Sequence, residues 1–481
     1  MSLRDSAVKG VIWTSVGSVG AGILNFVLTM VMARLLTPAD FGLLELLAIF
    51  TVLSEVFIDS GFSQAVIRDQ KASQDDLTSV FYFNLIVAAL IYIGLFFSAP
   101  FIANFYHEEK LVDLSRFVFL TILFHSCSII QNAIYTKQLA FKVVSVVALS
   151  SILISGSISI LLALNGWGVW ALAFNMVFFA FLKMLFIWII SKWRPSLKIS
   201  AKSIRKYFKF GVNLLVQGLV DKFVTNLESL LIGRFYTKYE LGYFSQARKL
   251  DSYIYSTASS VIQKVTYPIL AKVGSDEVRL KQGYRQVVGI TMYTMMPILV
   301  FTMSSASYLL YCILGSQWIP SVPYLIIWCL CGLMVTFYSI FINVFLVKNQ
   351  TRKLLKLSIL KSIIRLFVIF LLIRISVFFL MIGILIATMI ATIIYVYYGG
   401  KLISYSFSEV YSDLRKTIIS SIIAGMFVYS IPIFAPISSQ YAIFAIQLVV
   451  MTSIYLISSI LMKNESLIEL KRLLSAVLSK R

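Results

Sequence analysis

The feature that most constrains this chain is a series of about fourteen apolar segments, each long enough to cross a ~30 Å hydrocarbon layer as a helix. Of its 481 residues, 59% are hydrophobic and 13% are charged, so no stretch remains for a sizeable soluble domain. The segments are too long for barrel strands and lack their alternation. We therefore predict an all-α polytopic membrane protein with spans near 11–33, 41–60, 79–103, 113–135, 144–164, 168–190, 210–232, 240–268, 286–308, 322–346, 356–374, 377–398, 417–435 and 441–462.

The net charge of +21 is distributed unevenly between the two sides of the predicted membrane. With the N-terminus inside, the inner segments hold 29 lysine and arginine residues, whereas the outer loops hold five. Cytoplasmic loops carry such an excess of positive residues, so we predict that both termini are cytoplasmic. Because this membrane topology accounts for the excess positive charge, we do not interpret that charge as a nucleic-acid-binding surface.

A short polar signature occurs twice in the chain. RLLTPADFG at Arg34–Gly42 is echoed by RFYTKYELG at Arg234–Gly242. Six spans, an even number, precede the long basic loop at 192–209, so both copies enter the membrane in the same orientation. This indicates a parallel repeat of two six-helix lobes. The predicted organisation is an N-terminal lobe at 1–191, a basic cytoplasmic linker at 192–209, a second lobe at 210–400, two additional helices at 401–462 and a basic amphipathic cytoplasmic tail at 463–481.

Polar side chains recur every three or four residues on the spans beside the two signatures, so each set lies on one helix face. A charge at the centre of a membrane helix costs roughly 2.5–3.5 kcal/mol, which demands a reason. Two interpretations remain open: internal salt pairing, for example of Asp221 with Lys222, or a hydrated cavity lined by the first, second, seventh and eighth spans. The cavity is favoured because these spans also flank the signatures. For Lys183, snorkelling to an interface and a position within the membrane both remain open.

Motifs of soluble catalysis are missing. The sequence has no P-loop, nucleophile elbow or HExxH motif, and its four cysteines lack metal-ligand spacing. His125 could carry a proton, but a hydrogen-bonded structural role is the favoured interpretation. We therefore expect a transporter with no bound cofactor rather than an enzyme, with proton or sodium coupling as an open alternative.

Several stretches together resemble the lipid-linked oligosaccharide flippases of bacteria (Wzx type), which belong to the multidrug/oligosaccharidyl-lipid/polysaccharide exporter superfamily. They are KGVIWTSVGS at Lys9–Ser18, ARLLTPADFGLLELLAIF at Ala33–Phe50, IDSGFSQAVI at Ile58–Ile67, LLIGRFYTKYELGYFSQARKLDSY at Leu230–Tyr253 and VTYPIL at Val265–Leu270. The resemblance covers roughly residues 1–400. It implies two parallel six-helix lobes around a central cavity lined by the first, second, seventh and eighth spans. It also implies export of undecaprenyl-pyrophosphate-linked sugar units across the bacterial plasma membrane by alternating access, for lipopolysaccharide, O-antigen, capsule or exopolysaccharide biosynthesis.

Such a cargo carries an anionic pyrophosphate and a polar glycan, and both need a polar path through hydrocarbon. From their positions, the candidate ligands of the headgroup and sugars are Lys222, Arg248, Lys249, Arg34, Arg234, Asn25, Asn213 and Gln217. The candidates for ion coupling are Asp221, Glu228, Glu55 and Asp59. Two simpler roles stay open: the acids neutralise nearby cations, and the two arginines only cap helices.

The alternative function is a cation-coupled drug or metabolite antiporter of the same architecture. A drug site is expected to be mostly aromatic with a single key acid, and the several cations here argue against it. A membrane enzyme of polysaccharide assembly is a third hypothesis, which a large outer loop would favour. As partners we expect the lipid-linked oligosaccharide, membrane lipids and the polymerase and glycosyltransferases of the same pathway.

Overall fold

The computed structural model describes residues 3–59, 61–69, 71–254, 277–434 and 438–478, and no β-strand is present within these ranges. The helices are α1 (Leu3–Leu35), α2 (Pro38–Asp59), α3 (Phe62–Arg68), α4 (Gln74–Tyr106), α5 (Leu111–Val118), α6 (Leu120–Lys137), α7 (Phe141–Leu164), α8 (Val169–Ile190), α9 (Ala201–Phe235), α10 (described over 238–254), α11 (Glu277–Ser304), α12 (Ala306–Ile313), α13 (Val322–Val347), α14 (Thr351–Leu372), α15 (Val377–Lys401), α16 (Phe407–Phe434), α17 (Gln440–Leu461) and α18 (Glu465–Leu478), with a 3₁₀ helix at Ser316–Ser321.

Eleven helical segments of the described chain are long and apolar enough to cross a membrane. They match eleven of the predicted spans, so the all-helical polytopic fold is confirmed, while the count of fourteen is not. Helices α9 and α14 form where spans 210–232 and 356–374 were predicted, but neither is among the eleven. The predicted span 240–268 extends past residue 254 and so lies partly outside the described residues.

Two boundaries differ from the sequence prediction for local reasons. The predicted span 113–135 is divided between α5 and α6, which meet at Phe119. The second half of the basic segment 192–209 is helical, because α9 begins at Ala201. Ser200 caps this helix, since its hydroxyl accepts the backbone N–H of Ser203 at 3.3 Å.

The chain divides into two compact units, Met1–Ser245 and Gln246–Arg481. In the first unit α7 packs between α1 and α8. Helix α6 also packs on α8, and α2 packs on α9. In the second unit α13 packs on α11 and α15, and α16 packs on α17 and α11. The lobe boundaries inferred from the sequence remain predictions.

The basic segment before α9 is fastened to the start of α4. The backbone N–H of Ser196 donates to Thr78 Oγ1 at 3.1 Å, and that of Ser200 donates to Ser79 Oγ at 2.8 Å. Further along, Tyr207 is buried in an apolar cluster with Phe62, Val66, Phe81 and Ile130. Since these contacts tie α9 to α3, α4 and α6, the segment is an integral part of the first unit.

In the second unit, the start of the C-terminal helix α18 is also held in place. The Asn464 side chain donates to Thr417 Oγ1 at 3.0 Å and accepts the backbone N–H of Ser466 at 3.1 Å, so it caps α18 and joins it to α16. Leu467 packs in an apolar cluster with Tyr293 and Tyr455. The tail is therefore helical, as its amphipathic pattern indicates, and its first turn docks on the membrane helices.

Candidate functional site

A polar cavity of about 250 Å³ lies inside the first unit, among five helices that are each apolar and long enough to span a membrane. Its three ionisable side chains are Glu55 of α2, His125 of α6 and Lys183 of α8. Its other polar lining residues are Asn25, Thr51, Thr121, Ser128, Ser155 and Asn175. A cavity of this composition within apolar helices is costly and marks a functional-site candidate.

The polar stripes predicted from the sequence explain how these side chains converge. Thr51 and Glu55 lie one turn apart on α2, and His125 and Ser128 lie one turn apart on α6. Lys183 lies in the middle of α8, a mainly apolar helix that runs from Val169 to Ile190. The 3.6-residue period therefore places the whole set on the faces that meet inside the unit.

The hydroxyl groups of the cavity are largely occupied by their own helices. Thr51 Oγ1 donates to the carbonyl oxygen of Ala48 at 2.9 Å, and Ser128 Oγ donates to that of His125 at 2.9 Å. By contrast, His125 Nδ1 and Asn175 Nδ2 are buried and have no hydrogen-bond partner among the described protein atoms. A ligand in this cavity would therefore meet these two groups, together with Glu55 and Lys183.

The charges in the cavity influence one another. Both Glu55 and Lys183 interact electrostatically with His125, and Glu55 also interacts with Lys183. A carboxylate, an imidazole and an ammonium in one cavity can exchange a proton. Of the two interpretations of Lys183, the structure supports the position inside the membrane helices.

Sequence reasoning missed part of this cavity. It placed the functional lining on the first, second, seventh and eighth spans (α1, α2, α9 and α10), whereas the described lining of this cavity comes from α1, α2, α6, α7 and α8. Lys183 and Asn175 were not assigned a site role. A lysine in the middle of an otherwise apolar span was the available signal, because such a position needs a polar neighbour.

The other predicted acids occupy distinct environments. Asp59 accepts both the backbone N–H of Ser63, at 3.1 Å, and its hydroxyl, at 2.5 Å, across the turn at Gly61. Glu228 of α9 is fully buried, and the adjacent Ser229 donates its hydroxyl to Glu45 Oε1 at 3.0 Å. The Asp59 carboxylate therefore fastens the start of α3 to the end of α2.

Two predicted headgroup and sugar ligands on α9, Gln217 and Lys222, are exposed and do not line the cavity. The predicted coupling residue Asp221 is exposed beside Lys222, while the side chain of Asn213 lies outside the described residues. In the part of α10 after Ser245, which belongs to the second unit, Lys249 is exposed and Arg248 is partly exposed. Among the predicted site residues whose side chains the structure describes, Asn25 and Glu55 are the two that line the cavity.

The two signature arginines also differ from each other. Arg34 is exposed at the end of α1. Arg234 contacts His107 Nε2 through its guanidinium group, which also lies over the Phe105 ring at 5.1 Å from the centroid. One turn into the second copy, Lys238 pairs with Glu108 at 2.8 Å. The second signature is therefore fixed to the corner between α4 and α5.

The threonines of both signatures begin the helices that follow. Thr37 Oγ1 donates to Asp40 Oδ2 at 2.7 Å, and the same carboxylate oxygen accepts the Thr37 backbone N–H at 2.9 Å. In the second copy, the backbone N–H of Glu240 donates to Thr237 Oγ1 at 3.2 Å. This repeated N-terminal capping explains why threonine recurs at the same place in each copy.

Comparison with known proteins places this architecture in a family. Residues 31–323 match the family model described as "Polysaccharide biosynthesis protein". Relatives include the teichuronic acid biosynthesis protein TuaB of Bacillus subtilis, 25% identical over 69% of each chain, and the lipopolysaccharide biosynthesis protein WzxC of Escherichia coli, 22% identical over 69% of this chain and 68% of the relative. The succinoglycan biosynthesis transport protein ExoT of Rhizobium meliloti is 21% identical over 66% of this chain and 65% of its own.

Solved structures agree on the fold. The inward closed conformation of the lipid II flippase MurJ matches with a TM-score of 0.76, at 14% identity, over 94% of this chain and 99% of that one. An inward-facing multidrug transporter of the MATE family matches with a TM-score of 0.56, at 15% identity, over 80% of this chain and 94% of that one. Since the family model covers more than half of its residues, the chain belongs to the polysaccharide biosynthesis protein family.

Proposed function

We propose that this protein is a flippase that moves undecaprenyl-pyrophosphate-linked oligosaccharide units across the bacterial plasma membrane by alternating access. Family membership supports this proposal, as do relatives named for teichuronic acid, lipopolysaccharide and succinoglycan biosynthesis. The cargo would serve lipopolysaccharide, O-antigen, capsule or exopolysaccharide assembly. Glycosyltransferases would supply it and a polymerase would consume it, and both termini of the protein would face the cytoplasm.

The single observation that carries the proposal is the charged cavity enclosed by membrane helices. Ionisable side chains within one apolar bundle, here Glu55, His125 and Lys183, are typical of ion pathways and proton relays in transporters. A transporter can use such side chains, because a group whose charge changes inside the membrane can bias one conformation over another.

Glu55 is the strongest of the four proposed coupling residues. Its carboxyl lines the cavity, whereas Asp59 is held by Ser63. When Glu55 is ionised, it attracts the Lys183 ammonium; when it takes up a proton or pairs with a sodium ion, that attraction weakens. Each state thus favours a different arrangement of α2 against α8. Asp221 and Glu228 keep a secondary role as counter-charges.

The headgroup is assigned to the cations on α9 and α10. Lys222, Arg248 and Lys249 would bind the pyrophosphate by charge-assisted hydrogen bonds, and Arg34 and Arg234 would meet it at the outer end. The amides of Asn25, Asn213 and Gln217 suit sugar hydroxyl groups. No cofactor is needed for these steps.

The direct test uses the full-length protein in liposomes with a polyprenyl-pyrophosphate oligosaccharide labelled on its glycan. We expect flipping, measured by quenching of the label from outside, and at least a tenfold slower rate in the Lys222→Ala, Arg248→Ala double variant, because each lost bond to a charged group is worth roughly 1.5–3 kcal/mol. Lys198→Ala with Lys202→Ala is the matched control, since both lysines are exposed.

The outcomes separate the hypotheses. Unchanged flipping in the Lys222 and Arg248 double variant overturns the assignment of the headgroup ligands. If the intact protein moves no labelled lipid but exports a cationic drug, the flippase proposal fails and the antiporter is favoured.

A further inference from the structure

A second cavity, of about 640 Å³, lies in the first unit where α6 and α8 end. It is lined by apolar side chains, among them Val66, Leu77 and Ile134, and by two lysines, Lys137 and Lys192. None of the described residues that line it is acidic. The positive-inside distribution assigns this end of the unit to the cytoplasmic face. The cavity is therefore amphipathic and basic.

The two lysines remain able to bind an anion. Lys137 Nζ donates one hydrogen bond to the backbone oxygen of Asp69 at 2.6 Å, which leaves two of its three N–H groups. The Asp69 carboxylate is itself paired with Lys206 at 2.5 Å, so this nearby acid is already engaged by a cation outside the cavity lining. Lys192 is exposed at the cavity.

The negative end of α8 is neutralised by a different residue. The guanidinium group of Arg194 donates to the carbonyl oxygens of Ser191, at 2.5 Å, and Trp188, at 2.9 Å. These carbonyls belong to the last turn of α8 and its C-cap, where a helix carries partial negative charge. Because Arg194 meets that charge, the charge of Lys192 remains available to a ligand.

The surface beside the cavity has the composition of a membrane interface. Leu197 is 93% exposed and Ile199 is 57% exposed, in the same basic segment as Lys192. Trp193, which lines the cavity, is oriented by a hydrogen bond from its indole N–H to Gln74 Oε1 at 2.7 Å. Exposed apolar side chains among lysines, with a tryptophan at the boundary, are typical of segments that rest on lipid headgroups.

We propose that this cavity binds an anionic phospholipid of the cytoplasmic leaflet. Lys137 and Lys192 would hold the phosphate, and the upper acyl chains would contact the apolar lining beside Ile190. A soluble phosphate would gain nothing from the apolar lining or from the exposed Leu197. The site is separate from the cavity at Glu55, so the proposal does not depend on flippase activity.

The test is binding of phosphatidylglycerol to the purified full-length protein, measured by native mass spectrometry against phosphatidylcholine. We expect phosphatidylglycerol to bind preferentially. Lys137→Gln with Lys192→Gln should weaken it by about thirtyfold, because each substitution removes a direct hydrogen bond to the phosphate worth about 1 kcal/mol. Lys192→Gln alone should weaken it by about fivefold and keeps the test valid if Lys137 is needed for folding.

Lys198→Gln with Lys202→Gln is the matched control, because it removes the same charge from exposed neighbours that do not line the cavity. It should change binding less than twofold, and Lys137→Arg with Lys192→Arg should retain binding. Equal affinity for the two phospholipids, or equal loss in the control, overturns the proposal. Binding of a polyprenyl pyrophosphate but not of phosphatidylglycerol also overturns it and makes the cavity a cargo site.

Discussion

Gly42 and Gly242, which hold equivalent positions in the two signature copies, lie directly against each other. A Cβ atom at Gly42 would be 3.2 Å from the backbone nitrogen of Gly242 and would fall on the carbonyl oxygen of Lys238. A Cβ at Gly242 would fall on the carbonyl oxygen of Pro38. The two contacts are equivalent, because Pro38 precedes Gly42 by four residues and Lys238 precedes Gly242 by four residues. The internal repeat is thus a physical contact in which α2 and α10 cross reciprocally through glycine.

This crossing predicts that alanine is poorly tolerated at either glycine. Gly42→Ala or Gly242→Ala places a methyl group on a backbone oxygen, which cannot move aside as a side-chain tip can. We expect destabilisation of about 1–3 kcal/mol, the usual effect of overpacking. Thermal unfolding of the detergent-solubilised protein measures it as a lower melting temperature.

Gly94 in α4 provides the control, because a Cβ there meets no atom within 4 Å. Gly94→Ala should leave the melting temperature unchanged or raise it slightly, since alanine favours the helix over glycine. Equal melting temperatures for Gly42→Ala and Gly94→Ala would contradict the close crossing.

The sequence predicted what depends on local composition. Helices such as α4, α7 and α8 follow from long apolar runs, and the repeat follows from identities at Arg34–Gly42 and Arg234–Gly242. The contact between the two copies could not be predicted, because it depends on how α2 and α10 pack. The same holds for Lys183, whose place at the cavity is set by the packing of α8 on α6 and α7.

Asp59 shows a second limit of pattern reading. Its spacing from Glu55 is one helical turn, so the two acids look equivalent in the sequence. The turn at Gly61, with φ of 70°, brings Ser63 back to the Asp59 carboxylate and gives it a structural partner. A period identifies a helix face, but only the fold shows which members of that face reach a cavity.

Neutralising Glu55 is expected to uncouple transport. Glu55→Gln keeps the size of the side chain but cannot ionise, so the attraction to Lys183 is permanently weakened. We expect flipping to slow by at least tenfold and to lose its dependence on a proton or sodium gradient. Lys183→Met should have a similar effect, and the double variant should be no worse than either single one, because the two residues act as a pair.

Glu109→Gln is the matched control for this series, since Glu109 is exposed in the turn between α4 and α5. Its rate and gradient dependence should equal those of the unmodified protein. Full gradient dependence in Glu55→Gln would exclude Glu55 as the coupling residue.

The contact between Asp69 and α9 should weaken only in strong acid. The Lys206 ammonium and the Tyr207 hydroxyl hydrogen-bond to the Asp69 carboxylate and hold its pKa at about 2, below the ordinary value of 3.8. Because the folded-state pKa is lowered, the stabilisation is complete above about pH 4 and is lost as the pH falls through about 2.

Asp69→Asn should therefore lower stability at neutral pH, by less than about 1 kcal/mol because Lys206 is half exposed. The difference in unfolding free energy between this variant and the unmodified protein should stay constant down to about pH 5 and disappear toward pH 2. A double-mutant cycle with Lys206→Gln, followed by thermal unfolding, isolates the pair. If that difference in unfolding free energy grows in acid, the Asp69 carboxylate does not stabilise the protein through Lys206.

In the second unit, Asp251 of α10 is packed against the backbone of α13 at Gly332. Asp251 is 8% exposed, and a Cβ at Gly332 would lie 2.5 Å from its Oδ1 and 3.2 Å from its Cγ. Gly332→Ala should therefore lower the melting temperature, because the added methyl group would displace the buried Asp251 carboxyl from its position. Adding Asp251→Ala should restore the melting temperature, since that change removes both the clash and the unfavourable burial of an ionisable group.

If the double variant melts no higher than Gly332→Ala, the contact between Asp251 and Gly332 is not the cause of the destabilisation. If it melts at the original temperature but transports more slowly, Asp251 also acts in the transport cycle.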